Sequence, residues 1–137
     1  LRQLARGIHT SVLDDRGLDA AISALVARSV VPVHTDVRLD GRCSRDTEAA
    51  AYFVIAEALT NAAKHSRATE VRVVARLRAP GTLWARVEDN GVGGARVIPG
   101  GGLDGIVNRV LAAGGEARID SPAGGPTSVE VSIPCAS

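Results

Sequence analysis

Glu57, Asn61 and Lys64 follow one another at spacings of four and three. On a helix turning about 100° per residue they fall within an arc of about 60°. An apolar stripe of Ala51, Ile55, Ala58, Leu59 and Ala62 runs beside them. A carboxylate can take a proton or orient a nucleophile. An amide oxygen can ligate a hard cation such as Mg²⁺, and an ammonium can neutralise phosphate. A solvated helix face would show such a row as well. Residue usage bears on the choice: of 16 basic residues, Lys64 alone is lysine, and asparagine occurs only at Asn61, Asn90 and Asn108. That bias looks like GC-rich coding, so a lysine and an asparagine retained in one arc are candidates for a chemical requirement, although one lysine can also persist by chance.

Asp89 is the second candidate. It ends a segment in which Leu83, Ala85 and Val87 alternate with polar residues, so its parity points it inward. A buried carboxylate needs a donor. Asn90-Gly91-Val92-Gly93-Gly94 follows, and glycines admit close approach of a ligand to backbone; an Asp-Asn-Gly turn capped by its own side chain fits too. The third candidate is Gly100-Gly101-Gly102-Leu103-Asp104-Gly105, which runs into a helix whose free N–H groups would favour phosphate. Positions 100, 102 and 105 match G-x-G-x-x-G, but no strand leads directly into them and no βαβ unit surrounds them, so a dinucleotide fingerprint is rejected.

These groups need elements to position them. Leu1–Val12 reads as a helix end, broken by Asp14-Asp15-Arg16-Gly17, and Leu18–Arg28 as a second helix. Pro32 opens a strand to Leu39. Ser44 is an N-cap candidate for a long helix to about His65. Strands are expected near Glu70–Leu77 and Thr82–Asp89, joined by Ala79-Pro80-Gly81. A helix over Leu103–Ala113 closes on Gly114-Gly115, and strands near Glu116–Asp120 and Thr127–Ile133 end the chain. This order predicts an α/β two-layer sandwich, a mixed β-sheet with helices on one face.

The chain has 137 residues, enough for one domain. A net charge of +1 excludes a strongly basic nucleic-acid surface, and three aromatic residues are too few for a base-stacking platform. No apolar run reaches the length of a membrane span. Leu1 in place of Met suggests an internal piece of something longer. Cys43 and Cys135 lie far apart in sequence; a zinc site is unsupported, and a disulfide is not required in a domain that looks cytosolic.

The order of the motifs is more specific than any one of them. Glu57-Ala-Leu-Thr-Asn61-Ala-Ala-Lys64-His65, Asp89-Asn-Gly-Val-Gly93, Gly100-Gly-Gly-Leu-Asp-Gly105 and Gly124-Gly-Pro-Thr127 resemble the N, G1, G2 and terminal glycine boxes of sensor histidine kinases. The match is to their catalytic ATP-binding domain, of the Bergerat ATPase fold shared with gyrase, and the spacing between glycine boxes looks like that of nitrate-sensor-type kinases. Leu4–Leu13 resembles the segment that joins their dimerization helices to this domain. Residues 1–13 are therefore expected to end the linker, and 14–137 to form the catalytic domain.

The resemblance implies a role for each residue. Asn61 would hold Mg²⁺, Glu57 would orient or deprotonate the phosphoacceptor, and Lys64 and His65 would lie near the ATP phosphates. Asp89 would accept from the adenine amino group, with Gly91 and Gly93 admitting the base. Gly102 and Leu103 would offer N–H groups to phosphate, Thr127 would bind near the base or α-phosphate, and Gly94–Gly101 would be the lid. The last box departs from the usual Gly-x-Gly-Thr, and Pro126 removes an N–H there. No Phe-containing box lies in the lid, and Gly101 stands where a larger residue is common. The phosphoacceptor is expected on a dimerization domain of the same parent chain, because His9 lacks an acidic neighbour and His34 reads as structural. A response regulator would be the further partner, with no nucleic acid. The domain would be cytoplasmic, any membrane attachment belonging to other parts of the parent. A nucleotide-gated interaction module without phosphoryl transfer is the alternative; a chaperone or topoisomerase ATPase would need a larger chain.

Overall fold

A computed structural model describes residues 12–65, 67–95 and 97–136. After a helical turn at 12–16, the chain runs α1 (Leu18–Ala27), β1 (Val33–Arg38), α2 (Arg45–Lys64), β2 (Val71–Arg78), β3 (Thr82–Asp89), α3 (Gly102–Ala112), β4 (Glu116–Asp120) and β5 (Thr127–Pro134). The strands form one sheet in the order β1-β2-β3-β5-β4. β1 lies parallel to β2 and every other pair is antiparallel. The expected mixed-sheet α/β sandwich is what the chain adopts. The break after the first helix falls later than expected: 12–16 is helical, and the chain turns at Gly17, whose φ of 90° suits glycine. The proposed helix over residues 1–11 lies outside the described residues.

Side-chain parity sets the two faces of the sheet. Val71, Val73 and Ala75 of β2, Leu83, Ala85 and Val87 of β3, and Val129, Val131 and Ile133 of β5 are buried on one face. The long helix α2 covers it with Ala51, Val54, Ile55, Ala58, Leu59 and Ala62. Ser44 caps α2 as expected, its side chain accepting from the Thr47 N–H. The other face is polar. Arg86 pairs with Glu88 at 2.9 Å, Arg76 with Asp36 at 2.7 Å, and Trp84 donates its indole N–H to Glu130 beneath the Arg78 guanidinium.

The cysteines require a correction. Cys43 and Cys135 form a disulfide across a separation of 92 residues. The fold brings them together because β5 runs back beneath the start of α2. There the Cys135 carbonyl accepts from the Ser44 N–H, and the Pro134 carbonyl accepts from the Thr47 hydroxyl. Sequence distance concealed this closeness.

Candidate functional site

The apolar face of the sheet ends in a row of a different kind. Val71, Asp89 and Thr127 are register partners across β2, β3 and β5. Two polar side chains thus stand where the pattern of the rows behind them places aliphatic ones, and both are buried, at 4% and 3% exposure. Such groups need partners. Asp89 Oδ1 accepts the Gly91 N–H at 2.8 Å, the self-capped turn its sequence suggested. No donor among the described residues meets Oδ2. Thr127 Oγ1 lies 2.6 Å from the Ser121 hydroxyl, which accepts the Ala95 N–H at 2.9 Å.

Two loops meet beyond this row. Gly94 donates its N–H to the Ser121 carbonyl and Gly124 donates to the Val92 carbonyl, which lays residues 91–95 against residues 121–125. Gly93 and Gly125 both have positive φ, 67° and 80°. A Cβ on Gly93 would overlap the Pro122 carbonyl, and one on Gly125 would overlap the Gly91 carbonyl. The glycines of this region are therefore needed by the contact between loops. Gly91 contributes the amide that holds Asp89.

The helices close the other side. α2 ends at Lys64 and β2 begins at Val71, so the last turns of α2 lie at the same end of the domain as Asp89. α3 packs on α2, with the Phe53 ring against Gly105 and beneath the Arg109 guanidinium. This brings Gly102, the first residue of α3, against Glu57: a Cβ there would stand 3.0 Å from Glu57 Oε2. Glu57 and Asn61 are half-buried, and among the described residues neither side chain makes a hydrogen bond or ion pair. Gly101 precedes α3 without a side-chain cap, while Asp104 Oδ2 accepts the Gly100 N–H and Leu103 is buried. The α3 start thus offers backbone N–H groups and a positive dipole end beside Glu57.

Among the expected residues, Asp89, Gly91, Gly93 and Thr127 assemble on one wall, and Glu57 and Gly102 meet on another. Lys64 and His65 are exposed at the end of α2, and Lys64 borders the groove toward Leu25 and Ser29 of the α1 region. Ser121 was missed by the sequence reading. Its signal was parity: it continues the inward alternation of Ala117 and Ile119 one step beyond β4.

A half-open α/β sandwich with a buried carboxylate at the sheet end and a glycine-rich helix start opposite has the form of an ATP-binding domain. The profile of the histidine kinase-, DNA gyrase B- and HSP90-like ATPases matches residues 46–137, and the chain belongs to that family. It is 32% identical over 142 residues to the sensor histidine kinase ComP of Bacillus subtilis, covering 96% of this chain and 18% of ComP. It is also 32% identical over 144 residues to the oxygen sensor histidine kinase NreB of Staphylococcus carnosus, covering 98% of this chain and 41% of NreB. The chain thus spans less than half the length of these relatives. The histidine kinase domain of the blue-light activated kinase of Erythrobacter litoralis EL346 superposes with a TM-score of 0.69 at 21% identity, covering 88% of this chain and 60% of that one, and so shares the fold. Among the described residues no helix is long and apolar enough to cross a membrane.

Proposed function

We propose that this chain is the ATP-binding catalytic domain of a sensor histidine kinase. It delivers the γ-phosphoryl group of ATP to a histidine nitrogen on a separate dimerization domain, leaving ADP. The observation that carries the reading is the buried Asp89–Thr127 pair at the end of the sheet, with a glycine-rich helix start set against Glu57, in a member of this ATPase family with sensor histidine kinases among its relatives. Asp89 Oδ2 is suited to accept the adenine amino group. The N–H groups of Gly102 and Leu103 and the cations Lys64 and His65 are suited to the phosphates. Glu57 would orient the incoming imidazole or take its proton.

Mg²⁺ fits the donor set. Among the described residues no group of three His, Cys, Asp or Glu side chains is arranged to hold a metal alone. Asn61 offers a half-buried amide oxygen that meets no partner among the described residues. An ion held by one protein oxygen together with phosphate and water oxygens is the usual habit of Mg²⁺, and when bound it would neutralise charge on the transferring phosphoryl group. Residues 14–137 form the catalytic domain in this reading, and residues 1–13 lead in from the dimerization helices of the parent. A response regulator would then take the phosphoryl group from the histidine.

The test is incubation with radiolabelled ATP and Mg²⁺. The chain alone should bind nucleotide and acquire no acid-labile phosphate. Adding a dimerization domain from the parent should label that partner, weakly because the effective concentration given by the tether is gone. Stoichiometric labelling of the chain itself, abolished by His9→Gln, would overturn the reading.

A further inference from the structure

We propose that Ser121 is a positioning residue for nucleotide recognition, fixing the direction of the Thr127 hydroxyl and tying the base pocket to the start of the lid. This deepens the ATP-binding reading and rests on it. Ser121 leaves β4 with inward parity and comes to lie between two structures of different kind. On one side is Thr127, buried in β5 as the register partner of Asp89. On the other is Ala95, just beyond Gly93 and Gly94 at the start of the glycine-rich segment.

The proton count gives the arrangement its meaning. The Ala95 amide can only donate, so Ser121 Oγ accepts there, at 2.9 Å. Ser121 keeps one proton, and Thr127 Oγ1 is 2.6 Å away. When Ser121 donates across that contact, Thr127 Oγ1 becomes the acceptor and its own proton turns away from Ser121, toward the pocket. The wall then shows one acceptor, Asp89 Oδ2, and one donor, the Thr127 hydroxyl, on neighbouring strands. Adenine carries the complement on one edge, a donating amino group beside an accepting ring nitrogen. Guanine carries a carbonyl and a protonated nitrogen there and meets both groups with the wrong polarity.

The same hydroxyl holds the lid segment. The Gly94 N–H is held by the Ser121 and Pro122 carbonyls and the Ala95 N–H by the Ser121 side chain, so this turn secures two consecutive amides. Disturbing Thr127 and loosening Ala95 are therefore linked through one oxygen atom.

The test uses the 137-residue chain with Ser121→Ala, Ser121→Thr, Thr127→Val and the Ser121→Ala/Thr127→Val double variant. Calorimetry reads the affinities for ATP and GTP, and hydrogen exchange reads the Ala95 amide. Ser121→Ala should weaken ATP binding roughly three- to tenfold, narrow the preference for ATP over GTP, and speed exchange at Ala95. Ser121→Thr, which keeps the hydroxyl, should restore all three. Thr127→Val should weaken binding, and adding Ser121→Ala to it should cost little more affinity, since both act through one hydroxyl. ATP binding and ATP/GTP preference unchanged in a folded Ser121→Ala chain, or losses that simply add in the double variant, would overturn the role of Ser121 and leave the ATP-binding reading standing. Absence of ATP binding by the unsubstituted chain would overturn both.

Discussion

The Arg42 guanidinium grips both oxygens of the buried Glu48 carboxylate, Nε to Oε2 and Nη2 to Oε1, each at 3.0 Å. Nη2 also donates to the Leu13 and Asp14 carbonyls at 3.3 and 3.1 Å. One side chain thus joins the end of the entering helical turn to the first turn of α2. The Cys43 N–H adds a third donor to the carboxylate, at Oε2. The charged carboxylate in turn raises the Arg42 pKa from its ordinary value.

Removing either partner should have unequal consequences. Arg42→Ala strands a buried carboxylate, whereas Glu48→Gln leaves a half-exposed guanidinium that water can serve. Urea unfolding should therefore show Arg42→Ala to be the less stable of the two. Arg42→Lys should recover only part of the loss, because an ammonium lacks the planar fork. A Glu48→Gln chain less stable than Arg42→Ala would contradict this account.

On the outer sheet face, the Arg76 hydrogen bond and charge, with Arg38 beside them, hold Asp36 below its ordinary pKa of 3.8. A carboxylate depressed in the folded state contributes stability above its unfolded pKa and loses it as pH falls through the lower native value. The stability advantage of the native chain over Asp36→Asn should thus be level near neutrality and shrink below pH 3.8. The pair is partly open to water, which screens it, so the difference is small. An advantage that grows on acidification would refute the assignment.

Asp89→Asn keeps one carbonyl oxygen for the Gly91 amide and puts a donor in place of Oδ2. The chain should fold, and ATP affinity should fall by about 1–3 kcal/mol, roughly tenfold to more than a hundredfold. Calorimetry on the folded variant checks it, and unchanged binding would remove Asp89 from the pocket.

Glu57→Gln should still bind Mg·ATP while losing most phosphoryl transfer to a supplied dimerization domain. Asn61→Ala should disturb Mg²⁺ dependence itself. Transfer rates equal to the unsubstituted chain in Glu57→Gln would take away its proposed part in the chemistry.

The disulfide spans 92 residues, so opening it frees a long loop in the unfolded chain. Cys43→Ser, or reduction, should lower unfolding stability by about 2–5 kcal/mol. Identical midpoints with and without reductant would show that the bond contributes nothing.

Parity and punctuation made most of this legible in the sequence. The strands Thr82–Asp89 and Glu116–Asp120 were read to the residue because alternation is strict there and glycine or proline turns flank them. Asp89 was readable as an inward carboxylate for the same reason. Contacts between distant segments were not. The partnership of Cys43 with Cys135 depends on β5 returning beneath α2, and that of Arg42 with the Leu13 and Asp14 carbonyls on the entering turn lying beside the start of α2; no local pattern encodes either. Ser121 was hidden because its strand had ended: it keeps the inward parity of Ala117 and Ile119 but stands one step past the last strand residue, beside Pro122. Gly125 stood out only as part of the Gly124-Gly-Pro-Thr127 box, whereas the structure uses it to let one loop sit on another.

The bond between Cys43 and Cys135 makes the stretch from 43 to 135 a closed covalent ring. Everything from α2 to β5 lies on it, including both walls of the pocket and the exposed segment around Val97 and Ile98. A protease that cuts once in that segment opens the ring without dividing the molecule. The nicked protein would run as a single species until a reductant separates its two pieces. The ring therefore lets the segment around Val97 and Ile98 be severed while Glu57, Asp89 and Thr127 stay on one molecule.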